Sequence, residues 1–415
     1  MIIWIIKESE FVNLLTGKAR ASRAAMLADY FIEAGHQVTA WSSLWNHDRK
    51  EFVDDDRDVI EILPGLELRI LHAKKTYKKN ISLGRIAQGR EIGRLFREAA
   101  RKVPRPDLIY SCWPLIETSY EAVKYGHENG IPVVIDIRDL WPDTFIQPFP
   151  SVLKPFVNFI VEKIYGKRVR YALRNATMVT GTFPKTMELP FEYGRKKTNV
   201  DHHVFHCYKK PGYSKEEMAR ALDDWKKHGV DASTLNVVLI CSVRKRVVDF
   251  DMVIDAAKNL EGDPIKFIIC GSGQDFDEVS SKASRCNNVV MAGLCNQLQL
   301  FSLSSISQIG LLPYHDLFDF RDSLPTKFSE YLASSLVILT SLKGLSRDVV
   351  EKKDCGAYFQ NAIELSGLLK RYLNDKSELE RQRIHADTLY QHSFNADLVY
   401  REFVNELTGL TEKQS

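Results

Sequence analysis

The sequence has 415 residues, 44% of them hydrophobic and 27% charged, with a net charge of +3. That length exceeds what one ordinary core serves and predicts two or three domains of a soluble globular protein. No apolar run approaches the roughly 20 residues that cross a bilayer, which excludes a chain built of membrane-spanning helices.

The opening run M-I-I-W-I-I has no basic lead-in and meets Lys7 and Glu8 at once. It predicts a buried first strand over 2–6 rather than a signal peptide. A small, basic loop follows at 16–23, and 22–34 has helical spacing in Ala25, Leu27, Ala28, Phe31 and Ile32. Gly35 stands where helices commonly stop, and 36–43 reads as the second strand. Strand, loop, helix, glycine and strand make one βαβ unit, which places ligands at the carboxyl ends of strands. Residues 74–105 hold eleven Lys or Arg against two acids, Glu91 and Glu98, with a helix predicted over 86–102. Strands follow at 107–112 and 133–137, separated by a helix ending near Gly130. In a second basic stretch, 151–175, Leu153, Phe156, Phe159, Ile160 and Ile164 lie among Lys154, Lys163, Lys167, Arg168, Arg170 and Arg174. Residues 176–180 read as the last strand of the first half.

After a polar, loop-rich passage at 194–234 the pattern restarts. A strand at 237–241, a helix at 251–260 and a strand at 266–270 lead into Gly271-Ser272-Gly273. Strands at 289–292, 308–312 and 337–340 continue the sheet, and the tail, 375–408, is helical. This alternation predicts the α/β class, with two Rossmann-like, doubly wound domains facing across a cleft. They span 1–205 and 206–385, and a terminal helix, 386–415, returns to the first. The seven cysteines are odd in number and lack any C-x-x-C. They predict reduced thiols in the cytosol and no structural zinc. His36, His47, His202 and His203 likewise lack partners at metal-ligand spacing.

The stretch 322–341, D-S-L-P-T-K-F-S-E-Y-L-A-S-S-L-V-I-L-T-S, organises the second half. A proline-led turn opens a short helix whose first turn presents Lys327 and Glu330. A helix start points unpaired backbone N–H groups outward and favours an anion. A lysine and a glutamate there suit a phosphate and the vicinal hydroxyls of a ribose; the plain alternative is a capped surface helix joined to a buried strand.

Five stretches occur in an order that resembles a known family: R-A-S-R-A-A-M-L-A-D-Y-F-I-E-A-G-H-Q-V-T-A-W-S-S (20–43), His47 shortly after, D-I-R-D-L-W-P-D (136–143), I-I-C-G-S-G-Q (268–274) and P-T-K-F-S-E-Y-L-A-S-S-L-V-I-L-T-S-L-K-G (325–344). The chain resembles the family-four, GT-B-fold glycosyltransferases, closest to the bacterial branch that builds surface polysaccharides and includes fucosaminyltransferase-like proteins. The resemblance implies retaining transfer of a sugar from a nucleotide sugar, expected to be UDP-linked, without a bound metal or other cofactor. Fixed positive charges and backbone N–H groups aimed at the departing diphosphate are then expected to do most of the catalysis.

By the same resemblance, Glu330 holds ribose hydroxyls, Lys327 and Arg244 (with Lys245 or Arg246) hold phosphate, and Gly271 and Gly273 form the glycine loop. Gly17, Lys18 and Arg20 form the loop under the diphosphate. Asp322, eight residues before Glu330, takes the place of the first glutamate of E-x(7)-E near the donor sugar. Asp136, Arg138 and Asp139 stand where other members place a catalytic histidine. An Asp there accepts the acceptor hydroxyl's proton, with Arg138 holding its charge or an acceptor phosphate; the alternative is an Arg–Asp pair fixing a strand end. Two departures stand out: Asp249 replaces the lysine of "K-G", and Ser335 and Val337 replace the usual Gly and Pro.

Lys and Arg near an anionic leaflet contribute about 1 kcal/mol each. The basic stretches 74–105 and 151–175 therefore predict peripheral attachment to the inner face of the cytoplasmic membrane and a lipid-linked saccharide acceptor. The alternative is charged outer faces of ordinary helices with their apolar residues in the core. No nucleic-acid recognition motif accompanies them. Rival readings of the whole are a GT-B nucleotide-sugar epimerase and a non-catalytic nucleotide-sugar-binding or scaffold subunit.

Overall fold

In a computed structural model, residues 1–15, 22–47, 49–79, 82–147 and 149–412 are described. The chain divides into two units, Met1–Phe205 with Tyr400–Ser415, and His206–Val399.

The first unit holds β1 (Ile2–Ile6), β2 (Gln37–Ser42), a small side ribbon of β3 (Trp45–Asn46) and β4 (Glu51–Phe52), β5 (Val59–Leu63), β6 (Leu66–Ile70), β7 (Leu108–Trp113), β8 (Val133–Ile137), β9 (Met178–Gly181) and β10 (His202–His203). Its main sheet has the order β10-β9-β8-β7-β1-β2-β6-β5. Every pairing is parallel except that of β5 with β6, which is antiparallel. Strands β7 and β8 are buried along their whole length, as expected of parallel strands covered on both faces. The chain leaves β1 for β2 on one side and reaches β7 on the other, so the strand order reverses between β1 and β7. The crevice outside their carboxyl ends is the place where such sheets bind ligands.

The second unit holds β11 (Leu235–Ile240), β12 (Ile265–Cys270), β13 (Val289–Gly293), β14 (Ile309–Leu312), β15 (Val337–Thr340) and β16 (Gly356–Tyr358). Their order is β13-β12-β11-β14-β15-β16, all parallel, with the reversal between β11 and β14. Val237, Leu239, Phe267, Ile269, Leu311 and Leu339 form the centre of its core.

Several boundaries differ from the sequence reading. The passage 194–234 contains the helix Lys215–Lys227, opened by a capping box between Ser214 and Glu217. It buries only Ala221 and Trp225, too few apolar positions to show a period. Strand β10 lies beyond β9, so β9 is not the last of its sheet. The division near the end falls at 399/400 rather than 385/386. Residues 386–399 stay with the second unit because the Tyr390 hydroxyl donates to the Tyr208 carbonyl at 3.0 Å and the Phe394 ring lies 5.9 Å from that of Phe328. From Tyr400 the helix Ala396–Glu412 belongs to the first unit, where Tyr400, Phe403, Val404 and Leu407 are buried. The helix Leu83–Ala100 places Ile92, Phe96 and Ala100 in the core. On its polar side Arg94 pairs with Glu98, and Arg97 with Glu121. Among the described residues no helix is long and apolar enough to cross a membrane.

Candidate functional site

In the second unit the helix Thr326–Ala333 lies over the ends of the two strands that flank the reversal. The Tyr331 hydroxyl accepts from the Ile240 amide at 2.9 Å and donates to the Leu311 carbonyl at 3.4 Å. Gly310 makes room for it: a β-carbon there would come within 2.4 Å of the Tyr331 ring. This anchoring sets the helix start, with Pro325 ahead of it, at the carboxyl edge of the sheet. From that first turn Lys327 Nζ donates to Glu330 Oε2, one turn further along, at 2.8 Å, and Glu330 is only 5% exposed. A carboxylate held by an ammonium on an anion-attracting helix start is a place for a phosphate next to a diol.

The loops after β11 and β12 pack against each other. The Val243 amide donates to the Ser272 carbonyl at 3.0 Å. Gly271 has φ +146°, and a β-carbon there would lie 1.8 Å from the Cys241 carbonyl oxygen; at Gly273 it would lie 2.4 Å from that of Val243. Only glycine allows this approach of backbone to backbone. The loop after β11 is also tied to the one after β14, since the Asp249 amide donates to the Pro313 carbonyl at 2.7 Å and the His315 amide to Val247 at 3.0 Å. Asp249 itself caps the helix Phe250–Lys258, accepting from the Met252 amide at 3.0 Å. That gives the carboxylate a structural role at the position where many members of the resembling family have a lysine. Of the basic triplet, Arg244 and Arg246 have exposed side chains. Lys245 instead pairs with Glu278 at 2.6 Å, and its own amide is held by Asp275. Asp322 is exposed at the end of the short helix Phe318–Arg321.

In the first unit a chain of buried charges lies at the reversal. Asp136, 0% exposed at the end of β8, takes a fork from Arg23 at 3.1 and 3.2 Å and a third bond from Arg138 Nε at 2.8 Å. Burial alone would raise the Asp136 carboxyl; Arg23 and Arg138 outweigh it and hold it at about 2. Arg138 continues to Glu10 at 2.5 Å and to the Cys112 sulfur at 3.2 Å. Glu10 also accepts from the Ser22 hydroxyl and from the Ala24 amide, so it caps the helix Arg23–Glu33. Burial would raise Glu10 as well, but Arg138 and Lys7 bring it down to about 2. Arg23 further donates to the Val204 and Phe205 carbonyls at 2.8 and 2.9 Å, and its guanidinium lies 5.3 Å from the Tyr400 ring centroid.

Asp136 and Arg138 thus form the ion pair that the alternative reading described, enlarged by Glu10 and Arg23. Asp139 differs: it is exposed, just beyond the pair. Its charge is felt by Arg85, whose guanidinium stacks 3.9 Å from the Trp141 ring centroid. Gly17, Lys18 and Arg20 lie outside the described residues. Sequence reasoning missed Glu10 and Arg23. The signal for Glu10 was a pair of acids, Glu8 and Glu10, directly after the first strand; for Arg23 it was an arginine leading the apolar run Ala24–Ala28.

Residues 222–388, within the second unit, match the family model described as glycosyl transferases group 1. No curated protein matches the chain. Among solved structures, the Anabaena protein Alr3699/HepE in complex with UDP and glucose is similar at 14% identity and TM-score 0.64, covering 99% of this chain and 100% of that one. WaaG, a glycosyltransferase involved in lipopolysaccharide biosynthesis, is similar at 12% identity and TM-score 0.63, with 99% and 100% covered. The catalytic domain of starch synthase IV from Arabidopsis thaliana, bound to ADP and acarbose, is similar at 11% and 0.64, with 99% of each chain covered. At these identities the likeness shows the fold: an α/β chain of two Rossmann-like domains, the GT-B architecture.

Proposed function

We propose, on the premise that residues 222–388 form a group 1 glycosyl transferase domain, that this protein is a retaining glycosyltransferase using a UDP-linked sugar. Its acceptor is a lipid-linked saccharide in bacterial surface-polysaccharide synthesis (O-antigen, capsule or exopolysaccharide), and it works at the inner face of the cytoplasmic membrane. The observation that carries this reading is the Lys327–Glu330 pair, formed between the first turn of its helix and the next, at the strand reversal of the matching domain. The solved neighbours support it, one with UDP and glucose and one named for lipopolysaccharide biosynthesis.

The departing nucleoside diphosphate gathers negative charge as the sugar becomes cationic, so groups already aimed at it lower the barrier. Lys327, Arg244 and the N–H groups at the start of Thr326–Ala333 supply that charge, in the role a divalent ion has elsewhere. Glu330 accepts from the ribose hydroxyls, and the tight turn at Gly271 and Gly273 lets backbone stand close to the donor. Asp322 is assigned to hydroxyls of the donor sugar. Asp139 accepts the proton of the attacking acceptor hydroxyl, while Asp136 and Arg138 hold the strand end from which it projects. A carboxyl held at about 2 is a poor proton acceptor near neutrality.

The test is release of UDP from a panel of UDP-sugars in the presence of EDTA and a lipid-saccharide extract, with the product's anomeric configuration read by NMR. The expected product keeps the donor's configuration, and Glu330→Ala releases little UDP. An inverted product overturns retention, and release dependent on added metal overturns the charge assignment.

A further inference from the structure

The helix Lys154–Val161 is apolar on two faces. Val161 and, in the turn after it, Tyr165 belong to the first unit's core, with Val157 and Ile164 packed against it. The opposite face carries Phe156 (66% exposed), Phe159 (59%) and Ile160, and the turn ahead adds Phe149, Val152 (85%) and Leu153. Positions 152 and 153, then 156, then 159 and 160 follow one another at three- and four-residue steps and so share one side. A helix that is hydrophobic all round belongs inside a core or a bilayer, not at water. A contiguous exposed apolar surface marks a docking site. Nothing in the fold requires it: of the large apolar residues in Leu83–Ala100, which covers the same sheet, only Leu83 is exposed.

Charge selects the occupant. From Thr144 to Val161 the sequence has no acid and one base, Lys154. Lys163 and Lys167 follow, both exposed, and the Lys163 ammonium sits 5.3 Å from the Phe159 ring centroid. An apolar ridge edged by ammonium groups suits the boundary of an anionic bilayer, with cations among the headgroups and rings at the acyl boundary. Along the chain the segment follows the carboxyl end of β8 and Asp139, the residue to which the proposed function assigns the acceptor.

We infer that 149–160 is a membrane-insertion ridge that docks the first unit on an anionic lipid surface. The ridge itself is read from geometry; only its purpose rests on the lipid-linked acceptor proposed above. The test is co-sedimentation of the full chain with phosphatidylcholine vesicles, with and without phosphatidylglycerol. The wild type pellets with the anionic vesicles, and Phe156→Ser with Phe159→Ser weakens that partitioning by about tenfold or more. Lys163→Glu with Lys167→Glu removes the preference for anionic vesicles. All four side chains face solvent, so melting temperatures stay at the wild-type value. Equal partitioning of the wild type and the serine variant, or none by either, overturns the inference. So does a concentration-dependent dimer in light scattering that the serine variant abolishes, which makes the ridge a contact between copies. A UDP-induced melting shift on the same samples separates the two readings. A shift without vesicle binding sinks the ridge alone, and vesicle binding without a shift sinks the donor reading alone.

Discussion

Asp136 and Asp139 stand three residues apart in D-I-R-D and meet opposite surroundings. Asp136 is enclosed by Arg23 and Arg138, whereas Asp139 faces solvent. Removing one partner of a buried pair strands the other's charge, at about 3–5 kcal/mol. Asp136→Ala is therefore expected to lower unfolding stability by about that amount in a urea titration. Asp139→Asn keeps the wild-type midpoint and loses about 10²–10⁴ in transfer rate. The same carboxylates set an acid limit. Asp136 and Glu10 ordinarily titrate near 3.8 and 4.5 and are both held at about 2 in the folded chain. Depressed values stabilise the fold above the ordinary values, and that stability is lost as pH falls toward about 2. The urea midpoint of the wild type is expected to drop across that window, while Asp136→Asn with Glu10→Gln starts lower and changes less. Ser335 offers the converse. It replaces a glycine of the resembling family and sits at φ +54°, a region that costs a non-glycine residue about 1–2 kcal/mol. Ser335→Gly is expected to raise the melting temperature, the gain trimmed by loss of the hydroxyl's 3.4 Å bond to Asp387.

At the scale of elements, buried parallel strands were the most legible part of the sequence. Ile2–Ile6, Val133–Ile137 and Val337–Thr340 are short apolar runs flanked by turns, because both faces of each are covered. The helix Lys215–Lys227 was not legible, since it meets its neighbours through few apolar side chains. The glycine loop was read from the resemblance of I-I-C-G-S-G-Q, but the reason for it lies in contacts distant in sequence. At Gly271 a methyl group would collide with the Cys241 carbonyl. Gly271→Ala is accordingly expected to destabilise by more than about 1 kcal/mol and to weaken nucleotide binding with it, both read in one melting series. The charge chain of Glu10, Arg138, Asp136 and Arg23 joins three separated segments. Only the Arg138–Asp136 part, two residues apart, was within reach of a reading along the chain.

For the whole molecule, two sheets each reverse strand order once, and linked charged groups lie near each reversal. Motifs in register along the chain made this architecture legible, and the solved neighbours cover nearly all of it. Site chemistry was legible only where one segment supplies it, as in the turn carrying Lys327 and Glu330. The central claim is that this turn holds the diphosphate and ribose of a UDP-linked donor. It is tested most directly by melting the wild type and Glu330→Ala with UDP, UDP-sugars and other nucleoside diphosphates in EDTA. A ligand at about 100 times its dissociation constant stabilises the fold by about 2.7 kcal/mol. The account predicts a shift selective for uridine compounds in the wild type and its loss in the variant. No shift in the wild type, or an equal shift in both proteins, would contradict it.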